Sequence, residues 1–475
     1  MSHSNAKIVG ETALTELLLP ARVRKAMKST SRHHPSCKLI PDVEKQRLQP
    51  RFAFIEDRWF PLWHSLRTRP QYAKYFEVWS DAPSVLSHKE VLDKVRRMDI
   101  YEASTFFGQQ KFADEHFSQN SRSALYTDLW LRSFTQKPTD LETVLVNIST
   151  WIRIGIFPCN LFSEAFRLLP GSISLETVIL CVYYRGFASK LSLPADDVIF
   201  PIAEELLLDE MLSLSMSELN AISTGYFMSY RPFDGKQGML LTTLLMKRFL
   251  DLLPDHRFDS HCQCVLKMLK LNTHWNLTDM NRLLPTLEAS GFFEFCQNVP
   301  TKYALHQLKL VFAFLLSRQF KDDELLLKCV ETLNSLIKRD ASGFRSKDLA
   351  QAWYAMLSIG GKPDSEMFDF MISFFTDEVN KGEFGISIQI TLRGCALAGI
   401  YPLKLIDAFF SSEALMLLDN GHLPGMTGVS TVNDPFRDLL RFDTELGIMC
   451  PEYKGSRIPE KVHFEMSRAV KRRRI

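Results

Sequence analysis

One short segment of the chain carries residue types that could bind zinc. The sequence D-S-H-C-Q-C contains His261, Cys262 and Cys264, with His256 and His274 on either side. A zinc site needs about four nitrogen or sulfur ligands in tetrahedral reach. This spacing matches no zinc motif, and His261 and Cys264 fall one turn apart on a predicted helix, where cysteine is usually a core residue. We therefore predict no metal site.

A second segment groups carboxylates that could act as a catalytic pair. Residues 321–324 read K-D-D-E, but Asp322 precedes a predicted helix and suits the N-cap position, where a carboxylate binds free backbone N–H groups. His306 lies on a predicted helix face with no nearby nucleophile to serve. We predict no catalytic residue, no cofactor and no enzymatic activity.

Positive charge is concentrated near the C-terminus. Clustered lysine and arginine side chains attract the phosphates of RNA, so this tail is a candidate RNA anchor. A solvated basic end, or a run of the nuclear-localisation type, is the alternative. The candidate residues are Lys454, Arg457, Arg468, Lys471, Arg472, Arg473 and Arg474.

Residues 51–79 are dense in aromatic and arginine residues. Aromatic rings beside arginines can stack nucleic-acid bases, while the alternative, which we favour, is a folded helical cap whose rings form a core. The residues concerned are Trp59, Trp63, Tyr72, Arg58, Arg67 and Arg69.

The composition limits the class of protein. The chain has 475 residues, 46% hydrophobic residues and a net charge of +2, so it suits a folded protein whose polyanion-binding surface, if present, is local. Its nine cysteines show no disulfide-like spacing and indicate mostly buried thiols in an intracellular compartment. The sequence contains no stretch of about 18 uncharged apolar residues, so we predict no membrane span.

The N-terminal segment is basic and rich in hydroxyl residues, as transit peptides are. Glu11 and Glu16 do not suit a transit peptide, because such peptides contain few acidic residues, so a disordered basic leader is the alternative.

The elements that position these residues follow from a recurring pattern, G-x-x-P. It occurs at Gly155–Pro158, Gly360–Pro363 and Gly399–Pro402. Glycine just past a helix adopts the left-handed conformation that caps it, and proline fits the first turn of the next helix. Each copy therefore predicts a tight turn between two helices.

The positions around these turns repeat as well. Apolar residues stand fourteen before each proline and four and eight after it: Val144, Leu349, Ile388, Phe162, Met367, Ile406, Phe166, Met371 and Phe410. Weaker turns at Pro194, Gly235, Asn276 and Asp322 complete a series spaced 36 to 46 residues apart. The weaker turns predict further core residues: Leu180, Val198, Ile202, Met239, Thr243, Met280, Leu284, Leu308, Leu326 and Val330. Helical hairpins at this period predict an all-α fold, an α-solenoid. The β-branched segments 141–148 and 175–184 are predicted to be helical because of their place in the repeat.

The sequence after residue 420 has a different character. Residues 421–435 are rich in glycine and proline and predict a linker, followed by an amphipathic helix through Leu439, Leu440 and Leu446. The phrase P-E-Y-x-G-x-x-x-P then occurs at Pro451, Glu452, Tyr453, Gly455 and Pro459. With the preceding helix and the upstream hairpins, it resembles the C-terminal region of FAST kinase-like proteins and their octotricopeptide-like relatives.

This resemblance implies a protein of the mitochondrial matrix that binds organellar RNA, either mitochondrial transcripts or ribosomal RNA. The family's final RAP domain has no counterpart before Ile475, and the chain has no Gly-rich phosphate loop, HRD or DFG motif of a kinase. The alternatives are a protein-binding scaffold and a ribosome assembly factor. The expected organisation is a basic leader (1–50), a helical cap (51–137), a repeat array (138–420), a linker (421–435) and a small FAST-like module (436–475).

Overall fold

The computed structural model of the chain describes residues 38–39, 93, 95–100, 102–103, 119–133, 141–153, 156–168, 173–190, 197–233, 235–255, 260–272, 277–381, 386–410, 435–458, 460 and 463–464. Over these residues the fold is all-α, as predicted, apart from one antiparallel pair of two-residue strands. None of the described helices is long and apolar enough to cross a membrane. The residues divide into two compact units between Leu241 and Thr242, a boundary that the sequence did not indicate.

The elements of the first unit are mostly helices. In chain order they are β1 (Lys38–Leu39), α1 (Gln119–Ser133), α2 (Leu141–Arg153), β2 (Ile156–Phe157), α3 (Cys159–Arg167), α4 (Leu175–Lys190), α5 (Ile199–Glu210), a 3₁₀ turn (Met211–Ser213) and α6 (Met216–Met228). Helices α2 and α4 confirm the helical prediction for the two β-branched segments. Within the expected leader, β1 pairs with β2, Lys38 opposite Phe157.

The boundary between the units falls within α7 (Gly235–Leu252), and the second unit continues from there. Its elements are a 3₁₀ turn (Leu253–Asp255), α8 (Ser260–Leu271), α9 (Leu277–Asn281), α10 (Leu283–Ala289), α11 (Phe292–Asn298), α12 (Thr301–Arg318), α13 (Asp323–Arg339), α14 (Ser346–Ser358), α15 (Ser365–Asn380), α16 (Ile386–Leu397), α17 (Leu403–Phe409) and α18 (Pro435–Met449).

The tightest packing in the first unit joins α4 and α6. A Cβ atom on Gly186 would lie 2.7 Å from the Cα of Gly225, and one on Gly225 would lie 2.4 Å from the carbonyl oxygen of Val182. Only glycine permits this approach of two helix backbones. Helix α6 begins with a capping box, in which Ser215 and Glu218 bind each other's backbone N–H groups.

The helices of the second unit form two rows. Helices α8, α12, α14 and α16, here called row A, lie side by side in that order, and α18 packs against α16. Helices α9, α10, α11, α13, α15 and α17 form row B, in which α11 contacts α13 and α15 contacts α17. Row A and row B meet where α12 contacts both α11 and α13. In row A the buried indole of Trp353 donates its N–H to the Cys395 sulfur at 3.3 Å, which links α14 to α16.

The two G-x-x-P turns whose glycine is described have the predicted glycine conformation, while Gly155 lies outside the described residues. Gly360 follows α14 with φ of +88°, and Gly399 follows α16 with φ of +71°. The prediction for proline was wrong by one or two positions. Pro158 and Pro402 immediately precede their helices, and Pro363 stands two residues before α15. The residue before a helix also lacks an intrahelical N–H bond, so proline is tolerated there equally well.

Most of the predicted core positions are buried. Around the three G-x-x-P turns these are Val144, Leu349, Ile388, Phe162, Met367, Ile406, Met371 and Phe410, while the Phe166 side chain lies outside the described residues. Around the weaker turns the buried residues are Leu180, Met280, Leu284, Leu308 and Leu326, and Val330 is half-buried.

Two of the weaker turns were placed in the wrong register. Val198 is 50% exposed and Met239 is 48% exposed, although both were predicted to lie in the core, and Ile202 and Thr243 are only half-buried. Helix α5 starts at Ile199 and buries residues one position later than predicted. Without a glycine turn to fix the end of the preceding helix, the sequence did not define the helix start to within one residue.

The segment after the turn predicted at Asn276, which includes the predicted core residues Met280 and Leu284, is divided into three short helices. Pro285 lies in the first turn of α10, and its ring would clash with the carbonyl of Asn281 in a continuous helix. The chain breaks at Arg282 and again at Gly291, whose φ is +67°.

The C-terminal helix was predicted correctly. Helix α18 buries Leu439 and Leu446, and Leu440 is half-buried. The helix starts at Pro435, so the predicted linker ends one residue earlier, and residues 421–434 lie outside the described chain. The aromatic segment 51–79 also lies outside it.

Candidate nucleic-acid interface

Row A presents positive side chains on its solvent side. Spacings of four and three residues place Lys302, His306 and Lys309 on one stripe of α12. A spacing of seven residues, about two turns, places Lys347 and Tyr354 on one stripe of α14. The exposed and half-buried cations of this surface, here called the basic face, are Lys267, Lys270, Lys302, Lys347 and Arg393.

Charge is strongly segregated between the two rows. The row A helices contain seven lysine and arginine residues and one acid, Asp348. The row B helices contain four such cations and eleven acids, among them Glu366, Asp369 and Asp377 on the exposed side of α15. The overall charge of +2 therefore conceals a local surface of the kind that attracts phosphates.

The single acid of row A holds a cluster of basic groups together. The carboxylate of Asp348 accepts a hydrogen bond from Lys309 Nζ at 2.5 Å, and its other oxygen lies 3.6 Å from His306 Nδ1 and 3.5 Å from Arg345. Asp348 is only 4% exposed and Lys309 is also buried. This buried pair connects α12 to α14 beneath the basic face.

The pKa values of the cluster reflect crowded positive charge. Burial would raise the pKa of Asp348, but the hydrogen bond from Lys309 and the charge of Lys309 outweigh it, and the pKa lies well below its usual range. Burial lowers the pKa of His306, and the charges of Lys309 and Lys267 lower it further against the opposing effect of Asp348. The lowered pKa favours the neutral form of His306.

The same crowding extends to the neighbouring lysines. Partial loss of water, together with the charge of Lys309, lowers the pKa of Lys270. The pKa of Lys309 is itself lowered, first by burial and then by Arg345 and Lys347, although Asp348 raises it. Since like charges repel, the binding of an anion beside these cations relieves their repulsion and is electrostatically favourable.

An aromatic ring interrupts the basic face. The guanidinium carbon of Arg393 lies 5.4 Å from the centre of the Tyr354 ring, a cation–π arrangement between α16 and α14. The two helices are close at this point, since a Cβ atom on Gly394 would lie 3.0 Å from the Cα of Tyr354. Both side chains are half-buried, and Tyr354 is the first aromatic ring along the α14 stripe.

The described part of the basic tail contains two of the predicted cations, one exposed and one in an ion pair. Lys454 is exposed. Arg457 binds both carboxylate oxygens of Asp443, at 2.7 and 3.1 Å, and thereby fixes the loop after α18 to that helix. Tyr453 donates a hydrogen bond to Asp407 of α17. Five predicted tail residues lie outside the described chain: Arg468, Lys471, Arg472, Arg473 and Arg474.

The other candidate residues have structural settings. Asp322 is the predicted N-cap of α13 and accepts a hydrogen bond from the Leu325 N–H at 3.0 Å. The side chains of His261, Cys262 and Cys264 are not among those described, and His256 and His274 also lie outside. The described residues contain no group of three or more histidine, cysteine or acidic residues placed to hold a metal ion.

The described cysteines are free thiols, and most are buried. Cys181, Cys296, Cys329 and Cys395 lie in the core, while Cys159 and Cys450 are half-buried. Burial raises the pKa of Cys181 and of Cys296 to about 12. These thiols stay protonated near neutral pH and are poor nucleophiles.

Sequence reasoning did not find the basic face. The cations of the basic face do not form a run of adjacent charges in the sequence. They are separated by three to seven residues within a helix and by about 40 residues between helices. The spacing of Lys302, His306 and Lys309 would have revealed the stripe on α12. Nothing local identified Asp348 as the partner of Lys309, 39 residues away.

The fold and the site together define an all-α protein with a basic surface on one row of helices. Neither a comparison with protein-family models nor a comparison with curated proteins gives a match for this chain.

Proposed function

We propose that this chain is an α-solenoid protein that binds RNA along the basic face and supports the processing, stability or translation of mitochondrial transcripts, without catalysis of its own. The observation that carries the proposal is the segregation of charge, with seven cations and one acid in row A against four cations and eleven acids in row B. An RNA-binding surface needs cations aligned along several successive elements, because affinity comes from many phosphate contacts.

The arrangement of helices supports the solenoid part of the proposal. Helices α8, α12, α14 and α16 each pack against the next, and turns with left-handed glycines follow α14 and α16. In such an array one row of helices lines a continuous surface, and each helix can present a few side chains to the ligand. The mitochondrial part rests on the resemblance carried by Pro451, Glu452, Tyr453, Gly455 and Pro459.

The charge of row A favours RNA over a protein partner. A groove for a protein is expected to be mixed in charge and more apolar, because the buried core of a protein interface is depleted in charged residues. The accessible residues on the stripes of α12 and α14 instead include two exposed lysines, a half-buried histidine and a half-buried tyrosine. A scaffold for proteins, or a ribosome assembly factor that contacts both RNA and protein, would be distinguished by the experiments below.

Binding of the purified 475-residue chain to a single-stranded RNA tests the proposal directly. A triple variant Lys270→Ala, Lys302→Ala and Lys347→Ala removes three exposed cations of the basic face. If each contacts one phosphate, the slope of log affinity against log salt becomes less steep by about 2, at roughly 0.7 per phosphate of a single strand.

A matched variant controls for the change in net charge. Lys338→Ala, Lys381→Ala and Lys404→Ala remove three exposed cations elsewhere on the second unit and should leave the salt dependence unchanged. Equal loss of affinity in the two triple variants would refute the assignment of RNA to the basic face.

Crosslinking of the tagged protein in cells, followed by sequencing of the attached RNA, tests the physiological part. Enriched mitochondrial transcripts or ribosomal RNA would support it and identify the target. RNA at background level, with co-purifying protein partners, would instead indicate a protein scaffold.

A further inference from the structure

The basic face ends at a cleft between two successive turns. The cleft has a volume of about 700 Å³ and lies between residues 357–368 and residues 397–400. Its apolar walls are Leu357, Phe368, Leu397 and Ile400. The volume falls within the roughly 300–1,000 Å³ that is usual for small-molecule sites.

The cleft is continuous with the basic face. Ser358 stands one helical turn after Tyr354 on α14, and Leu397 stands one turn after Arg393 on α16. The basic face therefore leads into the cleft along both α14 and α16. Lys362 lies on the rim and is exposed. An occupant would therefore have an apolar part between the walls and negative charge beside Arg393 and Lys362.

Backbone and hydroxyl groups line one side of the cleft. The hydroxyl of Ser358 donates to the Tyr354 carbonyl at 2.6 Å and keeps its lone pairs as acceptors. Gly361 brings the backbone close to α14, because a Cβ atom there would lie 2.6 Å from the Met356 side chain and 2.9 Å from its carbonyl oxygen.

The one acid of the cleft is bound to other protein groups. Asp364 caps α15 by accepting from the Met367 N–H at 2.7 Å, and its second oxygen accepts from the Asn334 amide at 2.6 Å. Its charge is thus partly compensated, and both oxygens are directed to α15 and α13. Lys362 is the one cation among the residues that line the cleft, and Arg393 lies one helical turn before Leu397.

We infer that this cleft accepts an unpaired nucleobase of a single-stranded RNA whose phosphates lie on the basic face. The inference rests on the proposed function and adds the chemical form of the RNA. The faces of the flat heterocycle pack against the apolar walls, and a polar group on its edge forms a hydrogen bond with the Ser358 hydroxyl. Arg393 and Lys362 bind the adjoining phosphates. A duplex cannot supply such a base, because its bases are stacked and paired.

The test compares three ligands for the full chain: a 12-nucleotide single-stranded RNA, an abasic strand of the same length and phosphate count, and the corresponding duplex. The abasic strand should bind more weakly than the RNA by roughly fivefold to 150-fold per base site, the range that stacking of one base gives. The duplex should also bind more weakly than the single strand.

Two variants fill the cleft without changing its charge. Ser358→Phe places a ring at its mouth, and Leu397→Phe enlarges a side chain that is 54% exposed and so tolerates added volume. The matched control is Ser335→Phe, on the exposed side of α13. Circular dichroism checks that each variant folds. Filling should reduce RNA affinity to that of the abasic strand and leave the salt slope unchanged.

The outcomes separate this inference from the function on which it rests. Salt-dependent RNA binding that is equal for the abasic strand, or unchanged in both folded cleft variants, would overturn the base site and leave RNA binding in place. Absence of binding to every nucleic acid would overturn both. A 4-thiouridine crosslink to residues 357–368 or 397–400 would support the assignment independently.

Discussion

Replacement of Asp348 by asparagine should strongly destabilise the second unit. The side chain keeps its shape but loses its charge, so Lys309 remains buried without a counter-ion. Breaking a buried ion pair by removing one partner costs about 3–5 kcal/mol. Asparagine can still accept a hydrogen bond from Lys309, so we expect the lower end, about 3 kcal/mol.

A second substitution tests whether the cost comes from the buried charge. In the double variant Asp348→Leu and Lys309→Met, both charges are replaced by apolar side chains of similar size. Such replacements are often neutral or stabilising. We therefore expect the double variant to be more stable than Asp348→Asn by at least about 2 kcal/mol.

The measurement is urea denaturation followed by circular dichroism, with hydrogen exchange to show that the loss lies in α12 and α14. The control is Asp369→Asn on the exposed side of α15, which should change the free energy of unfolding by less than about 0.5 kcal/mol. A change below about 1 kcal/mol for Asp348→Asn, or no recovery in the double variant, would show that the pair contributes little to stability.

Three further predictions concern pH and the turns. Because the pKa of Asp348 is lowered in the folded protein, its carboxylate stabilises the fold above the unfolded pKa of about 4, and the stability difference between wild type and Asp348→Asn should shrink as pH falls below that value. Gly399→Ala should cost about 1–2 kcal/mol, because a φ of +71° strains any residue with a Cβ, although that atom would meet open space. Asp322→Ala should cost about 1 kcal/mol through loss of the N-cap bond to Leu325. Thermal or urea denaturation measures all three.

Each of these has a control within the chain. A difference that persists unchanged at low pH would contradict the role given to the Asp348 carboxylate. Gly343→Ala is the partner for Gly399→Ala, since its φ is not in the left-handed region and its Cβ would lie 3.4 Å from Thr301 Oγ1; an equal cost in both would argue against backbone strain. Asp322→Asn retains a capping side chain, and its stability should match that of the wild type.

Local sequence patterns, namely turn residues and the spacing of apolar residues, determined much of the fold. Helices α14 and α16 end where glycine adopts positive φ, and the spacing around Gly360 and Gly399 predicted both the turns and the buried faces of the helices beside them. The predictions were wrong where no such glycine turn ends the preceding helix. At Val198 no glycine fixed the register, and Met239 was counted from Gly235, which begins α7 and does not end the preceding helix. Pro285 interrupts the helix expected after the turn at Asn276.

The sequence by itself determined the helical class, the turns at Gly360 and Gly399 and most of the residues that face the core. These depend on contacts within a few residues, where one helical turn or one φ angle decides the outcome. Tertiary structure alone decided that Lys267, Lys347 and Arg393 share a surface and that Asp348 neutralises Lys309. It also brought the turns near residues 360 and 399 together as the two sides of a cleft. Those relations join groups about 40 residues apart, and they are set by how neighbouring helices pack, which no local pattern specifies.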